Sequence, residues 1–334
     1  MEAITEPDVP AASVPASTPK PSPYDVADDV HGLKTLFVNV FFIGTPGPGN
    51  PWVLVDAGLP GYAGQIKKRA EQLFGPGARP EAIVLTHGHF DHVGSLDTLL
   101  TEWPGVHVYA HELELPYLQG MSSYPPPDPA IGGGLMAYTS FIFPIGPENF
   151  GDCVWPIDRD GQIPELPGWQ VIHTPGHAPG HVSLFREEDR TLIAGDAFVT
   201  TDQNSAIAVA TQREEFHGPP AYFTCDWQDA QHSVRRLAQL NPLAVGTGHG
   251  VSVRGYELQI KLNHLADHFE EQSIPSQGRY VREPAVMDEF GVVTMPAPTS
   301  YTVAKAIGWG LVAGLVLWAF WPTSRRHDED EDDE

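Results

Sequence analysis

The sequence predicts an α/β protein. Two observations carry that prediction. Short apolar runs rich in branched residues, several of them ended by a His or Asp, read as buried strands. Between and after them, large apolar residues recur at spacings of three and four, which is the helical period. A chain of 334 residues is long enough for one large domain with insertions or two small ones.

Taken in order, Trp52-Val53-Leu54-Val55 reads as a strand that runs into Asp56-Ala57-Gly58. Ala82-Ile83-Val84-Leu85, bounded upstream by Arg79-Pro80, is a second, and Val93 to Leu100 reads as the start of a helix. Between them lies Thr86-His87-Gly88-His89-Phe90-Asp91-His92, with three imidazoles and one carboxylate. Trp169 to Ile172 is a strand that leads into His173-Thr174-Pro175-Gly176-His177-Ala178-Pro179-Gly180-His181, and Val182 to Phe185 follows as the next strand. Thr191 to Ala194 ends in Gly195-Asp196, and Leu243 to Gly246 leads to Gly248-His249. Trp227, Ala230, Val234 and Leu237 form a helical stripe with Asp226 as its N-cap, and Leu258, Leu262, Leu265 and Phe269 form another.

Neutral imidazole and carboxylate are the ligands that borderline divalent metals such as zinc prefer. In the 87–92 motif the groups are mostly two residues apart, and such residues do not share a helix face. The motif therefore belongs on an irregular loop, which Gly88 and Gly94 make easy. Open α/β sheets place their sites beyond the carboxyl ends of strands, where all these groups sit. His173, His107, His111, His264 and His268 read as structural.

The motifs His-x-His-x-Asp-His, Thr-Pro-Gly-His, Gly-Asp and Gly-His, in that order from about Val38 to Phe269, resemble those of the metallo-β-lactamase-fold hydrolases. The resemblance implies a four-layer αββα sandwich of two mixed sheets flanked by helices. It implies two divalent ions, with zinc expected: one held by His87, His89 and His177, the other by Asp91, His92 and His249, and Asp196 bridging them. Two such ions share a water, lower its pKa and polarise a carbonyl. Asp91 would orient the attacking hydroxide, which makes it the catalytic residue. Asp56 is expected to hold a ligand imidazole in its tautomer, with a strand-end turn cap as its alternative, and His181 to order the loop that carries His177. Gly195-Asp196 points to the glyoxalase II-like and lactonase-like branch, and no basic helical domain for glutathione follows. The expected activity is hydrolysis of a small ester, lactone or thioester. Rivals within the fold are a mononuclear iron oxygenase resembling persulfide dioxygenases, against which the intact set Asp91, His92 and His249 argues, and a β-lactam or phosphodiester hydrolase. A membrane-tethered binding protein without catalysis is a third, and the complete ligand set gives it no support.

Composition bounds the rest. A formal net charge of −24 opposes binding to nucleic acid. Cys153 and Cys225 are the only cysteines, so neither a disulfide framework nor a thiolate metal site is expected. Residues 1–23, rich in Pro, Ala and Ser, read as disordered, and they lack the pattern of a signal peptide. The hydrolase domain is expected over 24–285. Within it, 112–168 carries Pro125-Pro126-Pro127, Gly132-Gly133-Gly134 and several aromatics, and reads as a lid insertion facing a small-molecule substrate. His217 and Tyr222, after the expected bridging Asp, are candidate pocket residues. Residues 286–300 read as a linker, 301–322 as a transmembrane helix and 323–334 as an acidic tail. The run has one charged residue, Lys305, up to Trp321, with Trp309, Trp318 and Trp321 as interfacial candidates. A membrane-associated protein with its catalytic domain in the cytoplasm is the expectation, a soluble cytoplasmic one the alternative. A homo-oligomer is compatible with the sequence.

Overall fold

The computed structural model describes residues 22–298 together with Ala306, Trp309, Gly310 and Ala313. Eleven strands form two sheets. The first holds β1 (Val30–Thr35), β2 (Val38–Ile43), β3 (Val53–Val55), β4 (Ala82–Val84), β5 (His107–Ala110) and β6 (Val154–Pro156) in sequence order. Its first two pairings are antiparallel and its last three parallel. The second comprises β7 (Trp169–His173), β8 (Val182–Arg186), β9 (Thr191–Gly195), β10 (Ala244–Thr247) and β11 (Val253–Arg254), with β9 and β10 parallel and the other neighbours antiparallel.

The period of two along each strand sorts the core into layers. Phe41, Ile43, Val53, Val55, Ala82 and Val84 face the second sheet, where Leu184, Ile193 and Val182 meet them. Their alternates Val40, Phe42, Leu54 and Ile83 face outward onto the helices Ala63–Phe74 and Leu96–Glu102. On the other side Phe185, Leu192 and Ala194 pack on the helices Trp227–Gln239 and Tyr256–Asp267 through Val234, Leu237, Leu258 and Leu262. These are the four layers expected. Asp226 caps the Trp227 helix, accepting the amides of Gln228 and Asp229 at 2.9 Å each.

Part of the 112–168 segment, expected as a lid insertion, belongs to the sheet and core. Val154–Pro156 completes the first sheet beside β5, and Ile163 and Leu166 lie in the core between the sheets. The covering part consists of short turns, including Pro129–Ile131 and Leu135–Thr139. Residues 286–298, expected as linker, include a hairpin of β12 (Val286–Asp288) and β13 (Gly291–Thr294). It packs on the domain: the Val292 amide donates to Ser122 Oγ at 3.2 Å and Arg279 Nε to the Pro296 carbonyl at 2.7 Å. Alternation is too short there to be read as strands. The expected disordered segment lies outside the described residues except for Ser22 and Pro23, and Pro23 accepts the Ser252 amide at 2.9 Å. The expected transmembrane run and acidic tail also lie outside them, apart from Ala306, Trp309, Gly310 and Ala313, which are helical and exposed. Among the described residues no helix is long and apolar enough to cross a membrane.

Candidate metal centre

Both sheets end their parallel strands at one edge, and that edge carries the polar residues. Pairing of Val55 with Val84 sets Asp56 beside the start of the 86–92 motif, and the Asp56 amide continues the ladder to the Val84 carbonyl at 2.9 Å. Pairing of Gly195 with Thr247 sets Asp196 beside Gly248-His249. The two sheets are tied together there, Val182 N donating to Thr86 O at 2.9 Å and Asn39 N to Gly248 O at 2.7 Å. Two glycines allow the crowding. Gly195 has a φ of +54°, and a Cβ on it would meet His181 Nε2 at 2.6 Å. A Cβ on Gly248 would meet Asp196 Oδ1 at 2.0 Å.

The 86–92 motif is half loop and half helical turn. Thr86–His89 is irregular, while Phe90–Val93 is helical and starts on the His89 carbonyl, which accepts His92 N at 2.9 Å and Val93 N at 3.2 Å. The sequence reading placed the whole motif in a loop and the helix after it; the turn lets Asp91 and His92 project differently from His87 and His89.

Seven side chains converge, all buried: His87, His89, Asp91, His92, His177, Asp196 and His249. They form three groups with ligand atoms within 4.8 Å of one another: His87, His89 and His177; His87, His92 and Asp196; Asp91, His92 and His249. His89 Nδ1 lies 3.0 Å from His177 Nε2. Asp196 Oδ2 is central, 3.1 Å from His249 Nε2 and 3.6 Å from both His92 Nε2 and His177 Nε2. Asp91 Oδ2 is 3.5 Å from His249 Nε2.

The outer ring nitrogens are fixed by the surrounding protein. His92 Nδ1 donates to Asp56 Oδ2 at 2.8 Å and His249 Nδ1 to the Phe37 carbonyl at 2.8 Å. Thr86 Oγ1 donates to Asp56 and so accepts from His87 Nδ1 at 3.1 Å. Thr224 Oγ1 donates to the Pro220 carbonyl and faces His177 Nδ1 at 3.5 Å. With those protons placed outside, the lone pairs on the inner nitrogens face one another across the centre. His87 Nε2, His92 Nε2 and Asp196 Oδ1 are buried with no hydrogen-bond partner. Unpartnered polar atoms are costly in a protein interior, and a cation is the group that would satisfy all three.

Electrostatics agree with a cation site. Burial drives His87 and His89 well below the ordinary imidazole range and His177 down to about 4, which keeps them neutral and able to donate lone pairs. Burial also pulls on His92 and His249, but nearby carboxylates, Asp196 foremost, outweigh it and raise both. Asp196 is lifted by burial and more than brought back by His249 and His92, ending well below the carboxylate range.

His181 is not among the converging groups. Its Nε2 accepts the Asp196 amide at 2.8 Å, and its Nδ1 lies 2.9 Å from Thr174 Oγ1. It therefore holds Asp196 from behind, as well as ordering its own loop. His173 stacks on His111 with centroids 4.1 Å apart and donates from Nε2 to the Pro179 carbonyl at 2.8 Å. Tyr222 lines the cleft over the centre, but His217 does not: it faces Glu215, Nε2 to Oε1 3.2 Å, because the pairing of Val199 with His217 turns it away. His217 is thus corrected as a pocket residue.

Sequence reasoning missed Glu114. This buried carboxylate accepts the Gly88 amide at 2.8 Å through Oε2 and the Gly180 amide at 2.7 Å through Oε1, and Tyr124 donates to it. One side chain so joins the loop between His87 and His89 to the loop after His177. Nothing local marks it, since it sits in a short turn among other acidic residues.

Two stacked mixed sheets with such a cluster at their common edge define a metal-dependent hydrolase. The chain belongs to the metallo-beta-lactamase superfamily, whose family model matches residues 33–249. It is 44% identical over 244 residues to the Bacillus subtilis protein named "Probable metallo-hydrolase YflN", covering 73% of this chain and 92% of that one. It is 28% identical over 145 residues to the hydroxyacylglutathione hydrolase GloC of Haemophilus influenzae, covering 43% of this chain and 59% of the relative. A solved B3 metallo-beta-lactamase with an active-site glutamic acid superposes with a TM-score of 0.50 at 18% identity, over 73% of this chain and 86% of that one, a likeness of fold.

Proposed function

We propose that the protein is a two-metal hydrolase of a small ester, lactone or thioester. The observation that carries this reading is the convergence of seven buried ligand groups whose inner lone pairs include three unpartnered atoms. His87, His89 and His177 would hold one ion, Asp91, His92 and His249 the other, with Asp196 between them. Bound divalent ions, zinc by donor preference, supply Lewis acidity and lower the pKa of a coordinated water. The remaining work falls to the chain. Asp91, raised by burial, would orient the attacking water through Oδ2 and take up its proton. Tyr222, held protonated by burial and by the charges of Asp91 and Asp196, offers its hydroxyl as a donor toward a substrate oxygen. Phe37, Phe90 and Phe143 shield the centre from bulk water.

The likeness to the hydroxyacylglutathione hydrolase supports the thioester arm of the reading. The presence of the Asp91, His92 and His249 group beside the first supports two ions over a mononuclear iron oxygenase. The apolar run from residue 301 to 321 supports membrane attachment, on sequence grounds alone.

The test is metal analysis joined to turnover on chromogenic esters, lactones and thioesters. Close to two divalent ions per chain are expected, with activity lost in chelator and restored by metal. Asp196→Ala should lower occupancy and abolish turnover while the far-ultraviolet circular dichroism stays near wild type. Full activity with a single ion would overturn the two-metal reading.

A further inference from the structure

We propose that the cleft selects a neutral substrate whose group beside the scissile carbonyl is compact and apolar, a short alkyl chain or a single aromatic ring, and that Phe143 is a specificity-determining residue. This rests on the hydrolase reading above and names its substrate class.

The cleft over the metal centre is narrow and open at its mouth, with inner space of about 10 Å³, roughly that of one water. Its floor is polar, made by the ligand groups. Its wall is apolar and continuous: the ring of Phe143 lies 5.7 Å from Phe90, 5.8 Å from Tyr222 and 6.1 Å from Phe223. Met136 extends this wall from the covering segment. Phe90, Met136 and Phe143 remain half-buried, so apolar surface is left at the mouth of a polar site. A substrate's apolar portion would cover it.

The cations that would greet an acidic substrate are missing from the wall. No Lys or Arg lines the cleft among the described residues. The sequence agrees, since the covering stretch from Glu112 to Asp158 contains none, nor does the stretch from Phe216 to Cys225. A carboxylate or phosphate on the substrate's distal end would lose water against aromatic faces, whose quadrupole is negative, with nothing to pair it. The chain's net charge of −24 adds to that repulsion. A glutathione thioester carries two carboxylates on the thiol side of the scissile bond, and no Lys or Arg of the described wall would pair them. Each methylene buried against the wall should raise kcat/KM roughly fourfold until the cleft is full.

The experiment uses the full-length, metal-loaded protein and one leaving group, 4-nitrophenol, with the acyl part varied: acetate, butyrate, benzoate, hemisuccinate and the ester of betaine. Butyrate and benzoate should exceed acetate severalfold in kcat/KM, and hemisuccinate should fall at least tenfold below butyrate. Phe143→Arg should raise the hemisuccinate-to-butyrate ratio tenfold or more at unchanged metal content. Phe143→Ser, a smaller change, should lower the butyrate-to-acetate ratio if the Arg variant does not fold. Hemisuccinate equal to or above butyrate in the wild type overturns the proposal and leaves the hydrolase reading intact, as does preference for the cationic betaine ester. Absence of turnover on every ester counts against the hydrolase reading instead. The selectivity is then read by calorimetric binding of the matching 4-nitroanilides, where tighter binding of the succinyl than of the butyryl compound overturns it.

Discussion

Asp56 Oδ2 accepts a hydrogen bond from His92 Nδ1 at 2.8 Å, and both residues are buried. Asp56 itself stands in the left-handed region, φ +63°, where few side chains are comfortable and Asp and Asn are among the exceptions. Thr86 fixes it there, donating from its amide to Oδ1 at 2.7 Å and from its hydroxyl to Oδ2 at 2.9 Å. The bond sets the His92 proton on Nδ1 and leaves Nε2 for a metal. Removing an outer partner of a ligand His costs 10–100-fold in metal affinity or activity as a rule. Asp56→Ala is expected to fall in that range, read by chelator competition. Asp56→Asn keeps the backbone preference and should fall less in thermal stability than the Ala variant.

Glu114 predicts a different signature. Ala in its place leaves the Gly180 amide buried without an acceptor, at roughly 1–3 kcal/mol, and leaves the Gly88 amide only the Tyr124 hydroxyl at 2.9 Å. The loss falls on loop placement as well as on stability, because Gly88 lies between His87 and His89 and Gly180 lies in the loop that follows His177. Glu114→Ala should lower both the melting temperature and metal affinity. Glu114→Gln can accept one amide but turns an NH2 toward the other, so it should recover only part of each. A Gln variant equal to wild type in both would show that the two loops hold themselves.

His181 separates support from ligation. It touches the Asp196 backbone, whereas His177 faces the cluster through Nε2. His177→Ala should cost several orders of magnitude in turnover and reduce metal content. His181→Ala should cost roughly 10–100-fold with metal largely retained. Equal damage and equal metal loss in the two variants would reverse the assignment.

The sequence carried the strands that deliver these residues, since β4, β7, β9 and β10 are mostly apolar runs with a His or Asp at or just past each end. It also led to the expectation that Asp56 and His181 stand beside the proposed ligands rather than among them. Contacts made by chain folding over long separations were not legible. Glu114 meets residues 26 and 66 positions away through a side chain in a nondescript turn. His217 failed for the opposite reason: its neighbours Gly218-Pro219-Pro220 suggest a pocket loop, but a single antiparallel bridge to Val199 decides which way the ring points. β1 and β2 precede every ligand motif and so escaped a reading built on those motifs.

The His111–His173 stack gives a pH effect away from the centre. Burial and the neighbouring imidazole hold His111 down to about 4, against an ordinary value near 6.5. Between these values the unfolded chain binds a proton there and the folded one does not, so stability should rise with pH across that window and be lost as pH falls from about 6.5 toward 4. His111→Gln removes the group that takes up the proton. Its melting temperature should therefore drop less than that of wild type between pH 7 and pH 5, whatever its value at pH 7. A variant that keeps the full wild-type drop would place the titrating group elsewhere.

The last prediction concerns the C-terminal run. Every proposed ligand lies at or before His249, and the 286–298 segment holds to Ser122 and, through the Pro296 carbonyl, to Arg279, while beyond it Trp309 meets the Phe141 ring with centroids 5.3 Å apart. Truncation after Pro298 should thus yield a folded enzyme with unchanged turnover on a soluble ester. Truncation after Arg282 should not, because it strips the hairpin from the covering segment and removes the Ala285 amide that donates to the Cys225 carbonyl at 3.1 Å. The full-length chain, with its apolar stretch and Trp309, Trp318 and Trp321, should sediment with membranes and resist extraction by carbonate. Recovery of the full-length protein without detergent, at the same yield as the chain ending at Pro298, would refute membrane attachment and leave the stretch to pack against protein.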